Sequence, residues 1–196
     1  MGTVLNEKVK VIDKEKSAEK KEKKQKTAME VAATYLANRM RTVAEMRQHL
    51  RDKEYSDSEI DECVNDLIGL KYLDDYAYAL RYYEYNSAKH RGSKRAMREL
   101  EEKGVDKQTI KFALEDYKYE SGIDEYTMAL EIARKEVFIT SDECGPGADT
   151  DKIEMKEVDD KLVAKVARKL ESRGFANDDI YRVMNEMRRW DKEEHN

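Results

Sequence analysis

Apolar residues return with the same spacing in three separate stretches of the chain. Each stretch opens with a leucine, and apolar residues follow it after five, ten and fourteen positions. The three sets are Leu50, Tyr55, Ile60 and Val64; Leu100, Val105, Ile110 and Leu114; and Leu170, Phe175, Ile180 and Met184. The leucine is placed to close one helix, and the last two positions of each set share one face of the next helix. The pattern therefore predicts a helix–turn–helix joint that occurs three times.

The turn of each joint carries a residue suited to ending a helix. Gly104 and Gly174 stand where a helix C-terminus favours the left-handed backbone conformation. Glu54 occupies the same position in the first joint, where its side chain is expected to cost about 1 kcal/mol.

The residues after each turn are suited to starting the next helix. Ser56 and Asp106 are predicted helix caps, and Thr42 is predicted to cap the helix before the first joint. Ala176 is a poor cap, so Asn177 is expected to replace it and to delay the last helix by one residue.

A further helix precedes each joint, so the chain is predicted to be all-α, with three tandem three-helix repeats that form an elongated, curved body. The leading helices are placed at about 27–39, 74–88 and 124–137.

The predicted organisation is an arm, three units and one insertion. The arm covers 1–26, unit one 27–73, unit two 74–121 and unit three 122–196, with the insertion near 138–158. The arm carries nine lysines against five acids, and we expect it to be disordered, either as a solvated tail or as a contact to nucleic acid. The flanks of the insertion either pair as a short hairpin or extend the neighbouring helices.

The segment 71–90 holds six tyrosines, which fall on two sides of a helical wheel. Tyr72, Leu73, Tyr76, Ala79, Leu80 and Tyr83 form one stripe, which is predicted to face the core. Tyr78, Tyr82, Tyr85 and Lys89 form a second stripe. This second stripe either packs against neighbouring repeats or forms an exposed platform for a partner or for stacked bases.

A basic run follows this helix from Lys89 to Arg98, with five lysines or arginines and no acid. Ser93 is expected to cap the next helix, and Met97 and Leu100 to face the core. Lys94, Arg95 and Arg98 then point outward. They form either an ordinary solvated face or, with free amides at the helix start, an anion-binding site. Smaller basic patches are Arg39, Arg41, Arg47 and Arg51 in unit one and Arg188 and Arg189 in unit three.

Composition and motifs argue against an enzyme. Charged residues make up 41% of the chain and its net charge is -5, which suits many exposed helices but not a surface that is basic throughout. The three histidines, His49, His90 and His195, are isolated from one another, and no nucleotide-binding or nucleophile motif occurs. We expect no catalytic residue, metal or cofactor. Two cysteines without metal-like spacing, Cys63 and Cys144, and no signal or membrane segment predict a cytoplasmic protein.

Two motifs give the chain a family resemblance. "YLDDYAYA", which starts at Tyr72, and "GSKRAMRELEEKGV", which starts at Gly92, resemble the RecX family, bacterial regulators of the RecA recombinase. The matching positions are Tyr72, Leu73, Asp74, Asp75, Tyr78 and Ala79, then Gly92, Arg95, Glu99, Leu100, Lys103, Gly104 and Val105. Lys71 and Ala96 depart from the family pattern, as do the lysine-rich arm and the insertion.

The resemblance implies a function. Members of that family bind the groove of the RecA–single-stranded DNA filament and suppress ATP hydrolysis, strand exchange and coprotease activity, in DNA repair, recombination and the SOS response. The expected partner-binding residues are Tyr78, Tyr82, Tyr85, Lys89, Arg91, Lys94, Arg95 and Arg98. The alternative is a helical repeat protein that binds single-stranded nucleic acid directly, without RecA. In either case we expect a monomer.

Overall fold

The computed structural model describes residues 26–139, 154–155 and 157–194 of the 196-residue chain. The predicted arm, apart from Lys26, lies outside the described residues, as do most of the insertion, Cys144 and His195.

The described residues form helices and one minimal hairpin, so the expected all-α helical-repeat fold is confirmed. The elements are α1 (Ala28–Leu36), α2 (Val43–Arg51), α3 (Asp57–Gly69), α4 (Asp75–Ala88), α5 (Ser93–Glu102), α6 (Lys107–Ser121), α7 (Glu125–Val137), β1 (Phe138–Ile139), β2 (Glu154–Met155), α8 (Asp160–Arg173) and α9 (Asn177–Glu194). β1 pairs antiparallel with β2, Phe138 opposite Met155, so the flanks of the insertion form a hairpin.

Capping side chains start most of these helices. Thr27, Thr42 and Ser56 each form a capping box with the glutamate three residues on, and Asp106 caps α6 as predicted. Two cap predictions are wrong. Gly92, not Ser93, is the cap of α5, and α9 begins at Asn177 with the Ile180 N–H bonded to the Ala176 carbonyl, so no delay occurs.

The predicted left-handed turn residues are confirmed. Gly104 has a φ of 77° and Gly174 a φ of 81°, while Glu54 takes the same conformation at 65°. These turns connect α2 to α3, α5 to α6 and α8 to α9.

Three separate hydrophobic cores hold the helices in groups of three, which we call unit one (α1–α3), unit two (α4–α6) and unit three (α7–α9). Leu50 and Ile60 lie in the first core, Leu100 and Ile110 in the second, and Leu170 with Ile180 in the third. The extensive helix–helix contacts all lie within a unit, so the units meet only over small areas. Burial of the apolar frame explains why the three stretches share one spacing.

Candidate partner-binding site

Tyr78, Tyr82 and Tyr85 follow one another along α4 and become steadily more exposed. Tyr78 is 7% exposed, Tyr82 is half-buried and Tyr85 is 49% exposed. Their rings are neighbours, with centroids 6.0 Å apart for the first pair and 6.3 Å for the second. Tyr85 is therefore the member of this stripe that offers a ring face to a partner.

Tyr78, one of the expected partner-binding residues, is buried, because its ring packs in the core of unit two. The buried side of α4 is centred on Ala79, Tyr83 and Asn86 rather than on Tyr76. Tyr76 is 37% and Tyr72 is 67% exposed, so neither belongs to the core as predicted. The buried face is rotated by roughly a quarter turn from the predicted one, because α6 and α5 pack against α4 from different sides.

Tyr82 links the stripe to α5. Its hydroxyl donates a hydrogen bond to Glu99 Oε2 at 2.6 Å, and Arg95 Nε donates to Glu99 Oε1 at 2.8 Å. Burial is the main cause that raises the pKa of Tyr82, and the bond to Glu99 adds to it. Burial alone would raise the pKa of Glu99, but the bonds from Tyr82 and Arg95 outweigh it and lower that pKa. The Tyr82 phenol thus stays neutral and holds a fixed ring orientation.

Unit one contributes a second aromatic group across from α4. The Tyr35 and His49 rings stack with centroids 3.9 Å apart, and the Arg41 guanidinium lies 3.8 Å from the Tyr35 centroid. Burial and the nearby Lys53 charge lower the pKa of His49. Sequence reasoning missed this group, because Tyr35 and His49 lie on different helices and no local spacing connects them.

These two groups line a cleft of about 880 Å³ between unit one and unit two. We name it the inter-unit cleft; its lining includes Tyr35, His49, Tyr82, Tyr85, Arg91 and Lys103. Lys89 stands at its margin, 4.1 Å from the Tyr85 ring centroid, and donates to the Tyr85 hydroxyl. This hydrogen bond from Lys89 is the largest of the causes that lower the pKa of Tyr85. The cleft combines aromatic faces with charges of both signs, since Glu45, Asp52, Glu99 and Glu102 line it beside Arg91 and Lys103. This combination suits a partner that carries apolar groups together with charged ones.

The predicted basic residues do not all face solvent freely. Lys94 Nζ donates to Asn177 Oδ1 at 3.0 Å, and Arg95 Nη1 contacts the Ser172 carbonyl oxygen at 3.4 Å. Arg95 is half-buried, since its side chain contacts both Glu99 and unit three. Arg98 is exposed, with its Nε 3.9 Å from Glu102. Arg91 is half-buried, lines the cleft and makes no ion pair within the described residues.

The smaller basic patches are largely neutralised. Arg39 lies 3.3 Å from Glu45 and Arg51 lies 3.6 Å from Asp57, and Arg47 pairs with Asp61. In unit three, Arg188 lies 3.8 Å from Asp160, and Arg189 pairs with Glu186. Within the inter-unit cleft Lys103 Nζ also lies 3.5 Å from Glu45 Oε1, whereas Arg91 in the lining and Lys89 at the margin make no ion pair among the described residues.

Other chemistry is sparse among the described residues. Within them, no group of three histidine, cysteine or acidic side chains is arranged to hold a metal ion. Burial raises the pKa of the Cys63 thiol, which disfavours a reactive thiolate. In the part of the chain that the structure describes, no helix combines the length and apolarity needed to cross a membrane.

Over part of its length the chain is similar to known proteins. A family model described as the first three-helix domain of RecX matches residues 28–67, which lie in unit one. The regulatory protein RecX of Bacillus licheniformis is 32% identical over 120 residues, 60% of this chain and 46% of that protein. Its counterpart from Bacillus subtilis is 37% identical over 90 residues, 45% of this chain and 34% of that protein. The matched part spans less than half the length of these relatives.

Solved structures agree at the level of the fold. The crystal structure of RecX from Lactobacillus salivarius superposes with a TM-score of 0.62 at 22% identity, over 82% of this chain and 94% of that one. A second RecX crystal structure gives a TM-score of 0.60 at 19% identity, over 89% of this chain and 77% of that one. Sequence motif, sequence similarity and fold therefore agree in their likeness to RecX proteins.

Proposed function

We propose that this chain regulates the RecA recombinase, mainly as an inhibitor. It binds along the groove of the RecA–single-stranded DNA filament and suppresses ATP hydrolysis, strand exchange and coprotease activity. In this role it acts as a cytoplasmic monomer without a catalytic centre of its own, and the filament is its principal partner.

The observation that carries this proposal is the inter-unit cleft. Tyr82, Tyr85 and Arg91 from unit two face Tyr35 and His49 from unit one across it. Aromatic rings and arginine supply much of the binding energy at protein interfaces. The rings bury a large area at a small cost in side-chain entropy, and the guanidinium offers several hydrogen-bond donors in a fixed geometry. Three of the eight partner-binding residues expected from sequence lie in or beside this cleft and are at least partly exposed: Tyr85, Lys89 and Arg91.

The arrangement of units supports a filament partner. Each unit has its own core and meets its neighbour over a small area. A filament presents the same surface at each protomer, so units in series can make several weak contacts at once and gain avidity.

A second candidate is direct binding of single-stranded nucleic acid. The position of Lys89 over the Tyr85 ring favours it, since a base can stack on the ring while the ammonium contacts a phosphate. Such binding to bare DNA weakens steeply with salt, because each neutralised phosphate releases counterions.

Anisotropy titrations with one labelled oligonucleotide, bare or coated with RecA and a non-hydrolysable nucleotide, separate the two functions. The proposal predicts that the chain binds the coated strand more tightly than the bare strand at every salt concentration from about 50 to about 200 mM. Over this range, binding driven by phosphate contacts falls by orders of magnitude. The double variant Tyr85→Ala with Arg91→Ala weakens that binding about tenfold or more. The control Tyr119→Ala removes an exposed tyrosine outside the cleft and leaves binding unchanged. Binding to the bare strand alone, lost with salt, would select the second candidate.

A further inference from the structure

Unit one meets unit two through the start of α2. The Val43 N–H donates a hydrogen bond to Asp75 Oδ1 at 2.9 Å. The buried Thr42 hydroxyl donates to the Lys103 carbonyl oxygen at 2.8 Å, next to Gly104. The N-terminus of α2 is thereby held by two groups of the following unit.

Unit two meets unit three through the start of α5 in the same manner. The Ser93 N–H donates to Glu125 Oε2 at 3.2 Å. The Gly92 N–H donates to the Arg173 carbonyl oxygen at 3.0 Å, next to Gly174.

The two junctions use equivalent positions. Val43 and Ser93 are the first residues of the second helix of their units, and Asp75 and Glu125 are the first residues of the first helix of the next unit. The first N–H groups of a helix have no partner inside it, and a carboxylate there is favoured by the helix dipole. Units two and three therefore each supply a capping carboxylate to the unit before them.

A glycine accompanies each carboxylate. A Cβ at Gly104 would overlap the Ala44 side chain, and a Cβ at Gly174 would overlap Arg95. Unit one, which packs against no preceding unit among the described residues, has Ala28 and Glu54 at the two corresponding positions. The carboxylate and the glycine thus occur together in units two and three, each of which packs against a preceding unit.

We propose that Asp75 and Glu125 are positioning residues that set the angle between consecutive units and, with it, the placement of the cleft surfaces against the partner. The cores are separate and the contacts between units are few, so the orientation of each unit depends on a handful of polar bonds. Removing the carboxylate leaves the first N–H of the receiving helix without its partner and the junction free to pivot. The part that concerns the partner rests on the proposed function; the part that concerns the angle does not.

Hydrogen exchange of single backbone amides tests the first part on the full chain alone. Asp75→Ala should speed exchange of the Val43 amide roughly tenfold or more, the factor that corresponds to losing a hydrogen bond to a charged group. Asp75→Asn keeps an acceptor oxygen and should restore most of the protection. Small-angle scattering of the Asp75→Ala chain should show a wider spread of overall dimensions than that of the wild type.

The matched control is Asp74→Ala, which removes the neighbouring carboxylate. Asp74 caps its own helix by accepting from the Ala77 N–H, so its loss lowers stability without touching the junction. Val43 exchange should stay near the wild-type rate in this variant. Asp124 and Glu125 form the same pair at the second junction, with the Ser93 amide as readout. Unchanged Val43 exchange in Asp75→Ala, or equal acceleration in Asp74→Ala, overturns the assignment.

Inhibition of RecA tests the second part. Asp75→Ala should weaken inhibition several-fold more than Asp74→Ala, and Asp75→Asn should recover it. Faster Val43 exchange with unaltered inhibition would overturn the link between junction angle and partner binding. A wild-type chain that does not inhibit RecA would instead refute the proposed function, while the exchange result would still decide the role of Asp75.

Discussion

At the scale of single residues, close approach of a neighbour, and not backbone conformation, selects the glycine at position 92. Glu54, Lys71 and His90 all hold positive φ angles, so a left-handed turn here does not by itself require glycine. Gly92 has a φ of -73° and a ψ of 159°, which any residue adopts. A Cβ at Gly92 would instead overlap the carbonyl oxygen of Gly174. The space at the second junction, and not the turn, selects this glycine.

Gly92→Ser is therefore expected to destabilise the fold by about 1–3 kcal/mol, the usual cost of overpacking. Serine is a preferred cap at a helix start, so without the neighbour the same change would be neutral or stabilising. Gly69→Ala is the control: it lies in α3 with nothing within 4 Å, and it should stabilise by about 0.5–1 kcal/mol. Denaturant unfolding measures both changes. A stabilised Gly92→Ser chain would show that the junction does not constrain this position.

At the scale of elements, α4 shows why a helical wheel locates a buried face only approximately. The wheel shows two stripes, and α4 is contacted by two helices, α5 and α6. It could not tell which tyrosines the neighbours cover, since that depends on where those helices lie. Tyr83 is buried, stacks on Tyr117 at 5.8 Å and donates to the Ile110 carbonyl oxygen, whereas Tyr76 contacts Asp116 at the surface.

Tyr83→Ala should accordingly cost about 3 kcal/mol or more, by loss of a buried aromatic ring. Tyr76→Ala should cost about 1 kcal/mol or less, because its ring is partly solvated and its bond to Asp116 is exposed. Thermal melts of the two single variants provide the comparison. Equal losses would mean that α4 is rotated back toward the face predicted from sequence.

The packing of α7 against α8 contains Glu136, a carboxylate whose pKa is strongly lowered. Hydrogen bonds from Lys169 and then Lys165 lower the pKa of Glu136 to about 2. A carboxylate whose pKa is lower in the folded state stabilises the fold above its unfolded pKa, near 4.5, and that stability is lost as the pH falls toward 2. The side chain is 17% exposed, so a contribution of up to about 3 kcal/mol is reasonable.

Glu136→Gln should remove this contribution. The free energy of unfolding of the wild type should fall more steeply than that of the variant between pH 4.5 and 2 (about 1.4 kcal/mol for each unit of pKa difference). Above roughly pH 5 the carboxylate is ionised in both the folded and the unfolded state. The difference between the unfolding free energies of the wild type and the variant should therefore be constant there. Parallel curves throughout the acid range would exclude Glu136 as a source of acid sensitivity.

At the scale of the whole molecule, features that depend on residues close together in the sequence could be predicted. Contacts between residues that are far apart in the sequence could not. Leu50, Leu100 and Leu170 each lie in a separate core, and the caps at Thr42, Ser56 and Asp106 follow from neighbouring residues. The inter-unit cleft and the junctions join residues that are far apart in the chain, so no spacing indicates them. For the same reason Lys94 and Arg95 looked free in sequence, although both contact unit three.

The measurement that bears most directly on the account is RecA-catalysed ATP hydrolysis on single-stranded DNA with increasing amounts of this chain. The account predicts inhibition at or below an equal ratio of chain to RecA, about tenfold weaker inhibition by the Tyr85→Ala, Arg91→Ala double variant, and the same melting curve for both chains. The Tyr119→Ala chain should inhibit like the wild type. A rate of hydrolysis that stays constant over a broad range of chain concentration, with the cognate recombinase, would contradict the account.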